Sequence, residues 1–244
     1  MPIWDAGVLL QVTDLQAGYG KKQVIHGISL EVREGEIVAV LGHNGAGKSA
    51  LMNAIFGVIR PTGGRVLFQG KDITGQRPSD NVREGLGYSP QGAEVFRTMT
   101  VTDNLMLGGF PVKDQRLVME RISRVQELFP ALYERRGTRA GSLSGGERQM
   151  LVLGAVLVSS PKLVILDEPS GGLSPMMVDT MYEAIRDVAA TLHASVLLVE
   201  QESSHALEIA DRAYVLANGR LIHEGGAKDL ARSEEDLGRL LLGL

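Results

Sequence analysis

Glu36-Ile37-Val38-Ala39-Val40-Leu41 runs straight into Gly42-His43-Asn44-Gly45-Ala46-Gly47-Lys48-Ser49, and this junction decides the fold. The first run is short, largely apolar and rich in β-branched residues, which predicts a buried strand; residues 49–56 predict a helix. The glycines therefore fall where a strand turns into a helix. There, successive backbone N–H groups aim inward and the helix N-terminus adds its partial positive charge, so the stretch reads as a phosphate-binding P-loop. Its amides are expected to cradle the phosphates of a nucleotide, Lys48 to reach the β/γ oxygens and the Ser49 hydroxyl to ligate Mg²⁺. The alternative is a Gly-rich turn without a ligand. Lys48-Ser49 at the required spacing argues against it.

The bulk properties narrow the setting. With 244 residues and 44 % hydrophobic content the chain can build a full globular core. A net charge of −4 gives no electrostatic footprint for nucleic acid or a membrane surface. There is no cysteine, which rules out disulfides, thiol catalysis and Cys-ligated zinc. Met1-Pro2-Ile3-Trp4-Asp5 lacks a basic segment followed by an apolar one, so no signal peptide is expected. The longest apolar run, about residues 150–158, is far below the ~20 residues that span a bilayer. Membrane association is therefore expected to go through a partner.

Residues 8–12 predict a strand, 14–22 a turn region holding Gly18-Tyr19-Gly20, and 23–32 a second strand. Tyr19, held by glycines ahead of the P-loop, has the face needed to stack on an adenine, although a turn tyrosine is more often packing. Strands are expected at 65–68 and 86–88, with a helix at 78–84 between them. Gln91 follows that last strand, in Ser89-Pro90-Gln91-Gly92, where a loop side chain can face a ligand. From about 92 to 160 helices predominate, with apolar positions at Leu117, Ile122, Val125, Leu128 and Phe129, and this part reads as a helical subdomain inserted in one α/β domain spanning 1–244. Arg135, Arg136 and Arg139 read as a solvated face.

Leu143-Ser144-Gly145-Gly146-Glu147 precedes the next helix. Ser144 with Glu147 three residues on is a capping box, a sufficient structural reason for the pattern. Two glycines in a first turn nevertheless cost roughly 1 kcal/mol each against alanine, and bare amides that approach an anion are the expected compensation. Leu163-Val164-Ile165-Leu166 is a buried strand ending in Asp167-Glu168-Pro169-Ser170. Carboxylates at the C-terminal end of a core strand lie where α/β sheets bind ligands. Asp167 is suited to hold Mg²⁺ and Glu168 to accept a proton from water attacking a γ-phosphate. A helix to about 190, a strand at 195–200 ending before Gln201, a helix at 203–210, a strand pair around Ala217-Asn218-Gly219 and a helical tail at 228–244 complete the reading. His205 and His223 have no paired ligands nearby in sequence and read as surface residues.

In the order Tyr19, Gly42 to Ser49, Gln91, Leu143-Ser144-Gly145-Gly146-Glu147, Asp167-Glu168 and Gln201, the chain resembles the ATP-binding cassette (ABC) ATPases over nearly its whole length. The resemblance implies a P-loop NTPase fold with a mixed sheet, an N-terminal antiparallel β subdomain and an inserted helical subdomain. It implies ATP hydrolysis, with ATP and Mg²⁺ as cofactors. Tyr19 matches the adenine-stacking aromatic; Gly42, His43, Asn44, Gly45, Ala46, Gly47, Lys48, Ser49 and Ala50 match the ATP-binding loop. Ser49, Gln91 and Asp167 match the Mg²⁺ positions, and Glu168 and Gln201 the catalytic ones. Ser144, Gly145, Gly146 and Glu147 match the signature that binds ATP held by the opposite subunit of a head-to-tail dimer, homomeric or heteromeric. Partners implied are that second subunit and transmembrane permease subunits, with this chain on the cytoplasmic side of the cell membrane and no nucleic acid involved.

Residues 90–105, 150–175 and 198–201 look most like ATPase subunits of branched-chain amino-acid importers, with urea importers close behind. Four positions depart from the wider family pattern. Gln201 stands where most members have histidine and can donate a hydrogen bond but carry no proton; the branched-chain group resembles this chain there. Ala50 replaces a threonine, Ser174 an aspartate and Ala155 an arginine. Slower hydrolysis is the expected consequence, and a nucleotide-switched soluble ABC protein or a lipopolysaccharide-transport ATPase are the alternative readings.

Overall fold

The computed structural model describes residues 7–232. The chain opens with a long antiparallel hairpin, β1 (Val8–Tyr19) and β2 (Lys22–Arg33), turned by Gly20 and Lys21. The turn expected at 14–22 is mostly strand. A register shift between Val12 and Leu15, with Asp14 at φ +47°, absorbs the irregularity as a bulge, and Val12, Leu15 and Ala17 on either side of it all remain buried.

β3 (Ile37–Leu41) leads through the P-loop to α1 (Lys48–Phe56). β4 (Gly63–Phe68) and the two-residue β5 (Lys71–Asp72) then return to the hairpin, giving an antiparallel sheet in the order β2-β1-β4-β5. After α2 (Pro78–Glu84) comes β6 (Leu86–Ser89). Four helices follow: α3 (Val101–Gly108), α4 (Gln115–Leu128), α5 (Pro130–Glu134) and α6 (Gly145–Val158). The rest alternates: β7 (Leu163–Asp167), α7 (Pro175–Leu192), β8 (Ser195–Glu200), α8 (Ser203–Ile209), β9 (Arg212–Ala217), β10 (Arg220–Gly226) and α9 (Ala227–Arg232). Of the helical tail expected at 228–244, residues 228–232 fall in α9, and 233–244 lie outside the described residues.

The second sheet has the order β10-β9-β3-β8-β7-β6, parallel from β9 to β6 with β10 antiparallel at the edge. Every residue of β7 and β8 is buried, as strands covered on both faces must be. Alternate residues feed opposite cores. Val38, Val40, Ile165 and Leu197 pack with α1 and the antiparallel sheet, while Ala39, Leu41, Val164 and Leu198 pack with the helices. In α4 the buried positions are Val118, Ile122 and Val125; Leu117, expected among them, is exposed, because the helix turns Val118 inward, one position on.

Candidate active site

The parallel strands β3, β8, β7 and β6 lie side by side, so the residues just past their C-terminal ends converge: Gly42, Gln201, Glu168 and Gln91. Gly45 at φ +83° and Gly47 at φ +110° take backbone conformations that side chains resist, and Gly47 caps α1. Lys48 is the first residue of α1 and only 4 % exposed. Its Nζ donates to the Gly42 carbonyl at 2.8 Å and the His43 carbonyl at 3.3 Å, and pairs with Glu168 Oε1 at 3.1 Å. The loop thus curls around its own lysine. Ser49 is half-buried beside it, whereas Ala50 packs into the core under the antiparallel sheet.

Asp167 ends β7 almost fully buried, and neither carboxylate oxygen meets a donor in hydrogen-bonding geometry. Burial pushes its pKa up; Glu168 adds to the shift, and Ser49 and Lys48 oppose it without cancelling it. An orphaned buried carboxylate beside a hydroxyl suits a hard divalent cation, which takes oxygen ligands. Glu168 sits at φ +50°, and its N–H donates to the Val199 carbonyl at 2.9 Å. Its carboxylate is divided between Lys48 and the Gln91 side-chain amide, whose Nε2 lies 2.5 Å from Oε2. Five residues expected from sequence, Lys48, Ser49, Gln91, Asp167 and Glu168, are therefore brought together.

The remaining expected residues make no side-chain hydrogen bond or ion pair with this cluster beyond those that Lys48 donates to the Gly42 and His43 carbonyls. Tyr19 is 54 % exposed at the tip of β1, and Gln201 is exposed just past β8. The Ser144/Glu147 capping box is present in full: Ser144 N–H donates to Glu147 Oε2 at 2.7 Å and Glu147 N–H to Ser144 Oγ at 3.2 Å. The Ser144 backbone N–H holds the Glu147 carboxyl below its usual range. The paired glycines have different reasons. A Cβ on Gly145 would enter open space, but one on Gly146 would lie 2.1 Å from Met177 Cε, so Gly146 serves helix packing against α7. Gly145, Arg148, Glu94, Arg97 and Gly172 line a common cleft, to which no residue of 42–50 contributes.

Two features were not singled out from sequence. An apolar groove between α3 and α6 is lined by Phe96, Leu107, Leu151, Val152 and Ala155, with Phe110 nearby on the chain 86 % exposed. Its residues come from separate segments, so no local pattern marked it. Glu200 is buried at the end of β8, and its signal was a charge closing an otherwise apolar strand.

A strand-loop-helix lysine facing an acidic strand end defines a P-loop nucleotide site. The family model described as ABC transporter matches residues 25–171. The high-affinity branched-chain amino acid transport ATP-binding protein BraG of Pseudomonas aeruginosa is 42% identical over 220 residues, covering 90% of this chain and 94% of its own. A probable branched-chain amino acid transport ATP-binding protein, LivF, of Archaeoglobus fulgidus is 37% identical, covering 93% and 96%. The lipopolysaccharide export ATP-binding protein LptB of Acidithiobacillus ferridurans is 35% identical, covering 91% and 92%. A solved ATP-binding cassette of an ABC transporter in its ADP conformation superposes with a TM-score of 0.85 at 26% identity, covering 98% and 100%. The chain belongs to the ABC transporter family, as an ATP-binding, ATP-hydrolysing cassette. No helix among the described residues is long and apolar enough to cross a membrane.

Proposed function

We propose that this chain is the ATPase subunit of an ABC importer, one cassette over 1–244 with its helical subdomain at about 92–160, and that its cargo is branched-chain amino acids. The observation that carries the hydrolytic part is the convergence of Lys48, Gln91 and Asp167 on Glu168. The cargo rests on the two relatives at 42% and 37% identity. A relative named for lipopolysaccharide export, at 35% identity, favours that transport as the second reading.

In this reading Tyr19 stacks on adenine and residues 42–50 wrap the phosphates, with Lys48 moving from Glu168 toward the β/γ oxygens. Ser49, Asp167 and Gln91 would hold Mg²⁺, which would neutralise phosphate charge. Glu168, freed from Lys48, accepts the proton of the attacking water, and the Gln201 amide donates to the γ-phosphate. Ser144 to Glu147 complete the site of a second subunit from a helix N-terminus, itself an anion site. The groove at Phe96 and Leu107 docks a permease, which keeps the chain peripheral on the cytoplasmic face of the membrane.

Glu168→Gln is expected to bind ATP normally while turnover falls by about 10²-fold or more, the usual range for loss of a general base. Wild-type hydrolysis by that variant would remove Glu168 from the role. Purification of the chain from detergent-solubilised membranes, with mass spectrometry of what accompanies it, tests the coupling. Polytopic permeases support it, and uptake of labelled leucine against lipopolysaccharide transport then decides the cargo.

A further inference from the structure

Glu200 closes β8 at 3 % exposure. A buried carboxylate without partners is costly, so its contacts carry information. Oε1 accepts from the Ser170 hydroxyl at 2.8 Å and from the Ser170 backbone N–H at 3.3 Å. The buried Tyr182 of α7 lies beside the same carboxyl; burial, then the Glu200 charge, pushes its phenol above the usual range. Burial likewise raises Glu200, with Ser170 and Tyr182 opposing the shift. Through its backbone carbonyl Glu200 also accepts from Gly42 N–H at 3.4 Å. One residue thus touches the start of the P-loop, the chain just past Glu168 and α7.

The segment it grips needs holding. Glu168 takes a left-handed φ of +50°, a strained conformation for a non-glycine residue that only the surrounding contacts keep in place. Its turn is closed by Gly171 N–H donating to the Glu168 carbonyl at 3.1 Å, with Ser170 inside it. We propose that Glu200 is a positioning residue for hydrolysis: by clamping Ser170 it fixes the turn that aims the Glu168 carboxylate, without touching nucleotide itself. The inference rests on the hydrolytic reading of Glu168.

The test measures ATP hydrolysis against ATP concentration, and nucleotide affinity, for the purified full chain and for Glu200→Ala, Glu200→Gln, Ser170→Ala and the Glu200→Ala/Ser170→Ala pair, with Glu168→Gln as reference. A misaimed catalytic group costs turnover, so kcat of Glu200→Ala falls about tenfold or more while KM and affinity stay within about twofold. Glu200→Gln recovers most of the loss, since an amide oxygen accepts both Ser170 bonds. The double variant is no slower than Glu200→Ala, because both changes break one clamp. The proposal is overturned if Glu200→Ala and Ser170→Ala keep wild-type kcat while Glu168→Gln is inactive, or if affinity falls with kcat and Glu200→Gln recovers nothing. An active Glu168→Gln would instead fault the hydrolytic reading. Should Glu200→Ala fail to fold, Ser170→Ala, at a half-buried position, reads the same clamp.

Discussion

Asp167 shows how a residue chosen for chemistry weighs on the fold around it. Its carboxylate is buried without a donor, and its pKa is raised chiefly by that burial. Below the unfolded value near ~3.9 the group is neutral in both states and costs nothing; as pH rises through the higher folded value, the folded state is penalised. Asn at this position removes the penalty at nearly constant shape. Asp167→Asn is therefore expected to melt at the same or a higher temperature than wild type at pH 7 without nucleotide, the gap closing toward about pH 4. The same variant should lose hydrolysis and the extra stability that Mg²⁺ with ATP confers. Thermal melts across pH check it, and a lower melting temperature at pH 7 would mean that the carboxylate makes a stabilising contact. Asp167, Lys48 and Ser49 were legible in sequence because their residue types and spacing are local. Glu200 was not, since its partner Ser170 is brought to it by the pairing of β7 with β8.

At the scale of elements, α6 rests on its cap. Ser144 and Glu147 each satisfy the other's backbone N–H. Ser144→Ala is expected to cost about 1 kcal/mol in urea unfolding at pH 7, as N-cap losses do. The pH dependence belongs to Glu147, whose folded pKa is lowered first by the Ser144 backbone N–H. A lowered value contributes stability above the unfolded pKa near ~4.3 and loses it as pH falls through the folded one. The advantage of wild type over Glu147→Gln should accordingly be constant at neutral pH and vanish in acid; an advantage that persists to about pH 2 would assign it to packing instead. This cap was readable because it spans four residues, and α2 was readable from Pro78 at its first turn and Gly85 at its end. The bulged half of β1 was not. Asp14 and the glycines look like a turn, and only pairing with β2 and β4 keeps the strand going. Leu117 misled for a related reason: helix phase is set by what the helix packs against, and the side facing α6 carries Val118.

Across the whole molecule, the alternation of strands and helices gave the α/β class, and the P-loop marked one strand end. Which ends lie together follows from the order β3-β8-β7-β6, and that order juxtaposes Gln91 with Glu168, 77 residues apart in sequence. The signature at the start of α6 faces a cleft that excludes the chain's own phosphate loop. Under the proposed head-to-tail pairing, each ATP site takes its loop from one subunit and its signature from the other. Lys48→Ala damages the loop half of a site and Ser144→Arg the signature half, and each variant alone should be inactive. Mixed, they form heterodimers with one site wholly damaged and the other wholly intact. By random pairing of symmetric dimers, an equal mixture is expected to regain about a quarter of wild-type hydrolysis. Recovery would place the signature in trans. A mixture as inactive as its components, in which mass analysis finds heterodimers, would refute the paired arrangement and favour a site completed within one chain.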